Sequence, residues 1–68
     1  MIKIESIEQN GPVENTYEVL EAINILNKAK QNNRMIFIDG SPFMGDIITN
    51  ESIKSCNIIT IMNELVGG

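Results

Sequence analysis

Ile58-Ile59-Thr60-Ile61-Met62 is an apolar run close to the end of a 68-residue chain. Its length and β-branched content read as a strand, with Ile59 and Ile61 on one face and Ile58, Thr60 and Met62 on the other. Upstream, Met35-Ile36-Phe37-Ile38 is a second short continuous apolar run, read as a central strand. Asp39-Gly40 after it is a strong tight-turn signal, and Pro42 limits the next residues to an edge strand or a loop. Phe43 to Ser55 is interrupted by Gly45 and Asn50, with Asn50-Glu51-Ser52-Ile53 suited to a single helical turn.

At the other end, Met1 to Glu8 alternates, with Ile2, Ile4 and, after a slip, Ile7 set against Lys3, Glu5 and Glu8. This stretch reads either as one strand or as a short hairpin turning near Glu5-Ser6. Asn10-Gly11-Pro12 then breaks the regular structure. A helix is predicted next. Asn15 or Thr16 can serve as its N-cap, and Glu18 lies three residues after Asn15, as in a capping box. Glu14, Glu18 and Glu21 gather toward its N-terminal end and Lys28 and Lys30 toward its C-terminal end, as the helix dipole favours. Its apolar stripe is Leu20, Ile23, Leu26 and Ala29, widened by Val19, Ala22 and Ile25. Gln31-Asn32-Asn33 ends it, with an asparagine able to take the left-handed cap conformation.

This order predicts an α+β fold, a small mixed sheet crossed by one main helix. The first and last strands pair in parallel at its centre through a right-handed crossover. That is a β-grasp, ubiquitin-like layout. The expected organisation is one domain over residues 1–66 and a flexible Gly67-Gly68 tail.

Composition narrows the function. A hydrophobic content of 43% with 21% charged residues suits a folded globule with a small core. No apolar run is long enough to span a membrane, and Met1 to Glu5 carries no secretory pattern. With no histidine and Cys56 as the single cysteine, Ser-His-Asp and Cys-His catalysis are excluded within the chain, and a zinc site of the usual ligands nearly so. One cysteine also argues for a reducing, cytoplasmic setting. A net charge of −4 speaks against a nucleic-acid surface and for docking on a basic partner.

Gly67 and Gly68 follow Leu65 and Val66 at the end of the sequence. Two residues without Cβ atoms can thread a narrow cleft and present a carboxylate. Taken with the strands, these residues resemble the small sulfur-carrier proteins of thiamin and molybdopterin synthesis. The family's C-terminal pattern is an apolar residue, two others, Gly-Asp, alternating apolar residues and a final Gly-Gly. Ile53 to Gly68 follows it with Cys56-Asn57 in place of Gly-Asp, and the distance to the end fits the thiamin-type carriers without a gap. Ile36-Phe37-Ile38-Asp39-Gly40 resembles the family's apolar strand and Asn-Gly-type turn, and Thr16-Tyr17-Glu18-Val19-Leu20 the opening of its helix. The family's first-hairpin Asn-Gly occurs later here, at Asn10-Gly11.

The resemblance implies a carrier and co-substrate, not an enzyme. An E1-like adenylating enzyme would use ATP to activate the Gly68 carboxylate, and a persulfide donor would convert it to a thiocarboxylate. A sulfur-acceptor enzyme such as thiazole synthase would then consume that sulfur. No cofactor is bound by the carrier itself. Leu65 and Val66 would be the last side chains to anchor the tail. Ile58 and Met62, if on the open side of the sheet, would either form a docking patch or lie under the Phe43–Ser55 segment. The alternative function is a non-catalytic ubiquitin-like protein-interaction module in which the glycine tail is incidental. Cys56 reads as a turn or packing residue before it reads as a nucleophile, with Lys54 the one neighbour able to lower its pKa. Asp39, Asp46 and Glu51 read as solvated carboxylates before they read as a metal cluster.

Overall fold

A computed structural model describes residues 1–62 of the chain. Leu65, Val66, Gly67 and Gly68, and with them the division between domain and tail, lie outside the described residues. Two neighbouring strands begin the fold. β1 spans Ile2–Glu8 and β2 spans Gly11–Tyr17, and they pair antiparallel from Ile2↔Tyr17 to Glu8↔Gly11. The hairpin therefore turns at Gln9-Asn10, not at Glu5-Ser6. The break expected at Asn10-Gly11-Pro12 is confined to Asn10 in that turn, because Gly11 and Pro12 open β2. Gly11 takes φ 116°, a value open to residues without a Cβ, while Gln9 and Asn10 avoid positive φ. Pro12 is tolerated because β2 forms one edge of the sheet.

The pairing of β2 overrides the expected helix start. Asn15 and Thr16 lie opposite Ile4 and Lys3 in the ladder, so neither caps the helix. Helix α1 spans Val19–Gln31, with Glu18 at its N-cap and no side-chain cap bond. Glu14 lies in β2, where it faces Lys3 across 3.8 Å. The helix ends in a Schellman turn. Asn33 takes φ 61°, its N–H reaches the Lys30 carbonyl and the Arg34 N–H reaches the Ala29 carbonyl, both at 3.0 Å.

β3 (Ile36–Ile38) and β4 (Ser41–Pro42) follow, joined by Asp39-Gly40 with φ 49° and 85° at the two positions. Two positive values define the tight hairpin turn whose twist matches its strands. A short helix, α2 (Asn50–Ile53), is held by a reciprocal capping box between Thr49 and Ser52. β5 (Ile59–Ile61) then enters the sheet between β1 and β3, parallel to the first and antiparallel to the second. The sheet order is β2-β1-β5-β3-β4, so the first and last strands do run parallel at its centre.

One face of this mixed five-stranded sheet packs on α1. Ile2, Ile4, Ile36, Ile59 and Ile61 meet Ala22, Leu26 and Ala29, while Ile48 and Ile53 close the same core. Asn27 ties the irregular segment to the helix. Its amide donates to the Ile48 carbonyl at 3.1 Å and accepts from the Ile48 N–H at 2.7 Å, as a neighbouring strand would. The buried helical stripe is Ala22, Leu26 and Ala29, flanked by Val19, Ile23 and Ile25. Leu20, expected in the stripe, is 77% exposed. The helix starts later than the expected caps at Asn15 or Thr16, and its contact face is centred on Ala22 and Leu26.

Leu20 and Leu26, about 120° apart around the helix, therefore lie on different faces. Leu26→Ala is expected to cost about 2–5 kcal/mol, and Leu20→Ala to stay within about 0.5 kcal/mol, in urea unfolding.

Candidate functional site

Strand alternation turns the other residues of the sheet away from α1. A single row crosses all five strands on that open face: Glu14, Glu5, Thr60, Phe37 and Pro42 are successive cross-strand partners. The row is acidic at its β2 end and apolar at its β4 end. Met35 and Met62 extend the apolar half, for the Met62 N–H reaches the Met35 carbonyl at 2.8 Å and continues the β3–β5 ladder. They are 40% and 38% exposed, respectively. Ile58, Thr60 and Phe37 are half-buried.

The Phe43–Ser55 segment packs elsewhere. Ile48 and Ile53 sit in the helix-side core, Phe43 and Cys56 pack against that core, and Lys30 of α1 lies over the Phe43 ring at 5.2 Å. Met62 thus remains on an open surface, shared with Met35, Phe37 and Pro42. The sequence does not single out those three neighbours, because a continuous apolar run hides which members face the core. The usable signal was that one helix covers one face, which sends Ile36 and Ile38 inward and Met35 and Phe37 outward.

Two side chains hold the ends of β5. At its start, the Asp39 carboxylate accepts from the Asn57 N–H at 2.8 Å and the Ile58 N–H at 2.9 Å, while the Asp39 N–H donates to the Ile58 carbonyl at 2.9 Å. At its end, Arg34 Nε donates to the Met62 carbonyl at 3.0 Å. The Cys56-Asn57 turn needs no glycine, since neither residue adopts positive φ. Beside Arg34, a groove of about 240 Å³ is lined by Ile25, Lys28, Ala29, Asn32 and Ile61.

Burial pushes the Cys56 thiol up from its ordinary pKa, and the Asp39 carboxylate raises it further against a backbone hydrogen bond that lowers it. Lys54 is not among the groups that shift the thiol, and its ammonium pairs with Glu51 at 2.8 Å. Asp39, Asp46 and Glu51 are not gathered into a cluster, and no group of three or more potential metal ligands occurs among the described residues. No described helix is long and apolar enough to cross a membrane. Compared with known proteins, the chain matches no family model, no curated protein and no solved structure.

Asp39→Gly keeps the left-handed turn but removes the carboxylate, and is expected to cost about 1–3 kcal/mol in urea unfolding, with Asp39→Asn losing less. A raised thiol pKa leaves less thiolate at a given pH. Iodoacetamide at pH 8 should therefore alkylate Cys56 more slowly in the folded protein than in urea, as read by intact mass.

Proposed function

We propose that this domain is a β-grasp, ubiquitin-like sulfur carrier whose Gly68 carboxylate is adenylated and converted to a thiocarboxylate, most simply for thiazole formation in thiamin synthesis. The observation that carries this reading is the sheet order β2-β1-β5-β3-β4, with parallel β1 and β5 at the centre and one helix across one face. In sequence, Gly67-Gly68 follows the end of that central strand after a short segment that includes Leu65 and Val66.

The chemistry asks little of the carrier's own side chains. An E1-like partner directs a carboxylate oxygen onto the α-phosphate of ATP, releasing pyrophosphate and leaving an acyl adenylate. A persulfide sulfur attacks the acyl carbon and AMP leaves. A thiol then cleaves the resulting acyl disulfide, releasing the thiocarboxylate and a mixed disulfide. The carrier contributes a glycine end that fits a narrow cleft and a face on which the partner docks. The open face suits that second task, with Met62, Met35 and Phe37 as apolar contacts, Ile58 beside them, and Glu5 and Glu14 facing a basic rim. This face equally serves the second reading, a ubiquitin-like interaction module without sulfur chemistry.

The two readings part at the tail. With ATP, a persulfide source and an E1-like enzyme, the carrier gains the mass of sulfur in place of one oxygen, and an extension beyond Gly68 abolishes the gain. Met62→Glu is expected to raise KM for the carrier at least about tenfold, equivalent to about 1.4 kcal/mol of lost contact. If removing Gly67-Gly68 leaves all partner binding intact and no thiocarboxylate forms, the interaction module is the correct reading. A native protein whose intact mass extends past Gly68 also counts against the carrier.

A further inference from the structure

We propose that Arg34 is a positioning residue that fixes the backbone of Met62, just past β5, against the first hairpin. The backbone puts it there: with Asn33 left-handed and the Arg34 N–H on the Ala29 carbonyl, the Schellman turn stations Arg34 directly beyond the end of α1. From that point its side chain joins three separate parts of the chain. Nε donates to the Met62 carbonyl at 3.0 Å, and Nη2 donates to Ser6 Oγ of β1 at 3.1 Å. Ser6 Oγ in turn donates to Glu8 Oε1 at 2.9 Å, which leaves its lone pairs facing the guanidinium.

Among the described residues, this is where the sheet pairing of β5 stops. The ladders of β5 end at Ser6↔Ile61 on one side and Ile36↔Ile61 on the other. Met62 follows with its N–H on Met35 and its carbonyl on Arg34, so one guanidinium replaces the ladder partner for the last described residue. Two acceptors in separate segments, Ser6 of β1 and Met62 past β5, call for a planar fork of donors, which arginine supplies and lysine does not. The use of this device in the adenylation step rests on the carrier reading. The device itself does not.

Amide exchange measured by NMR on the full chain tests it. Arg34→Ala is expected to speed exchange of the Met62 N–H at least about tenfold while Leu26 and Ile59 keep their wild-type rates, since a lost local bond opens only its neighbourhood. Ser6→Ala, which leaves Arg34 in place with one anchor fewer, should act on Met62 in the same direction to a smaller extent, and Arg34→Lys should restore only part of the protection. An unchanged Met62 rate in Arg34→Ala, or acceleration of Leu26 by the same factor, overturns the proposal. In adenylation assays, Arg34→Ala should lower kcat with KM held, the reverse of Met62→Glu; a rise in KM alone would make Arg34 a docking residue and overturn its positioning role. Failure of the wild-type chain to be adenylated would refute the carrier reading and leave the exchange result standing.

Discussion

A strand of three residues, Ile59–Ile61, holds the centre of this sheet, and everything else is arranged around keeping it there. It pairs with the first strand on one side and with β3 on the other, so its loss would separate the hairpin from the rest of the domain. Three residues make few ladder bonds, and the molecule compensates at both ends. The Asp39 carboxylate receives two N–H groups where the strand begins, and the Arg34 guanidinium reaches the carbonyl just past where it stops. Both donor-acceptor sets carry a full charge, which makes them stronger than neutral bonds of the same geometry. Ile59 and Ile61 then add the burial that a central position allows.

The same economy explains the two-sided character of the sheet. One 13-residue helix covers one face, and the segment after β4 is spent on closing that same core through Ile48 and Ile53. Nothing among the described residues is left to cover the other face. Its polarity is therefore set by strand alternation, charged along the hairpin with Lys3, Glu5 and Glu14, and apolar along β3 and β5. Under the proposed docking role, a surface divided in this way suits a partner that brings apolar groups to one half and positive charge to the other.

Much of this architecture can be read in the residues, and the misreadings have physical causes. Asp39-Gly40 marks its hairpin because both positions need positive φ, and Asn33 ends the helix for the same reason. Asn15 and Thr16 look like helix caps because their side chains suit that task, yet the hairpin satisfies their backbone groups first. Leu20 looks like core because it opens a series of three-residue steps; each step drifts by about 60° around a helix, which carries Leu20 away from the buried face of Ala22 and Leu26. At the candidate site, Met62 was legible from alternation within its own strand. Met35 and Phe37 were not, because both lie in an unbroken apolar run.

The residues alone determined that β1, β3 and β5 extend, though not β2, where the helix and the tight turn end, and that a glycine pair follows the last strand. These are local matters of backbone sterics and side-chain period, settled within a few positions. Only the tertiary structure decided the sheet order, the single row from Glu14 to Pro42 and the meeting of Arg34 with Ser6 and Met62. Those juxtapositions join groups 28 residues apart in the chain, and distance along a chain carries no record of which strands will pair until burial chooses one arrangement.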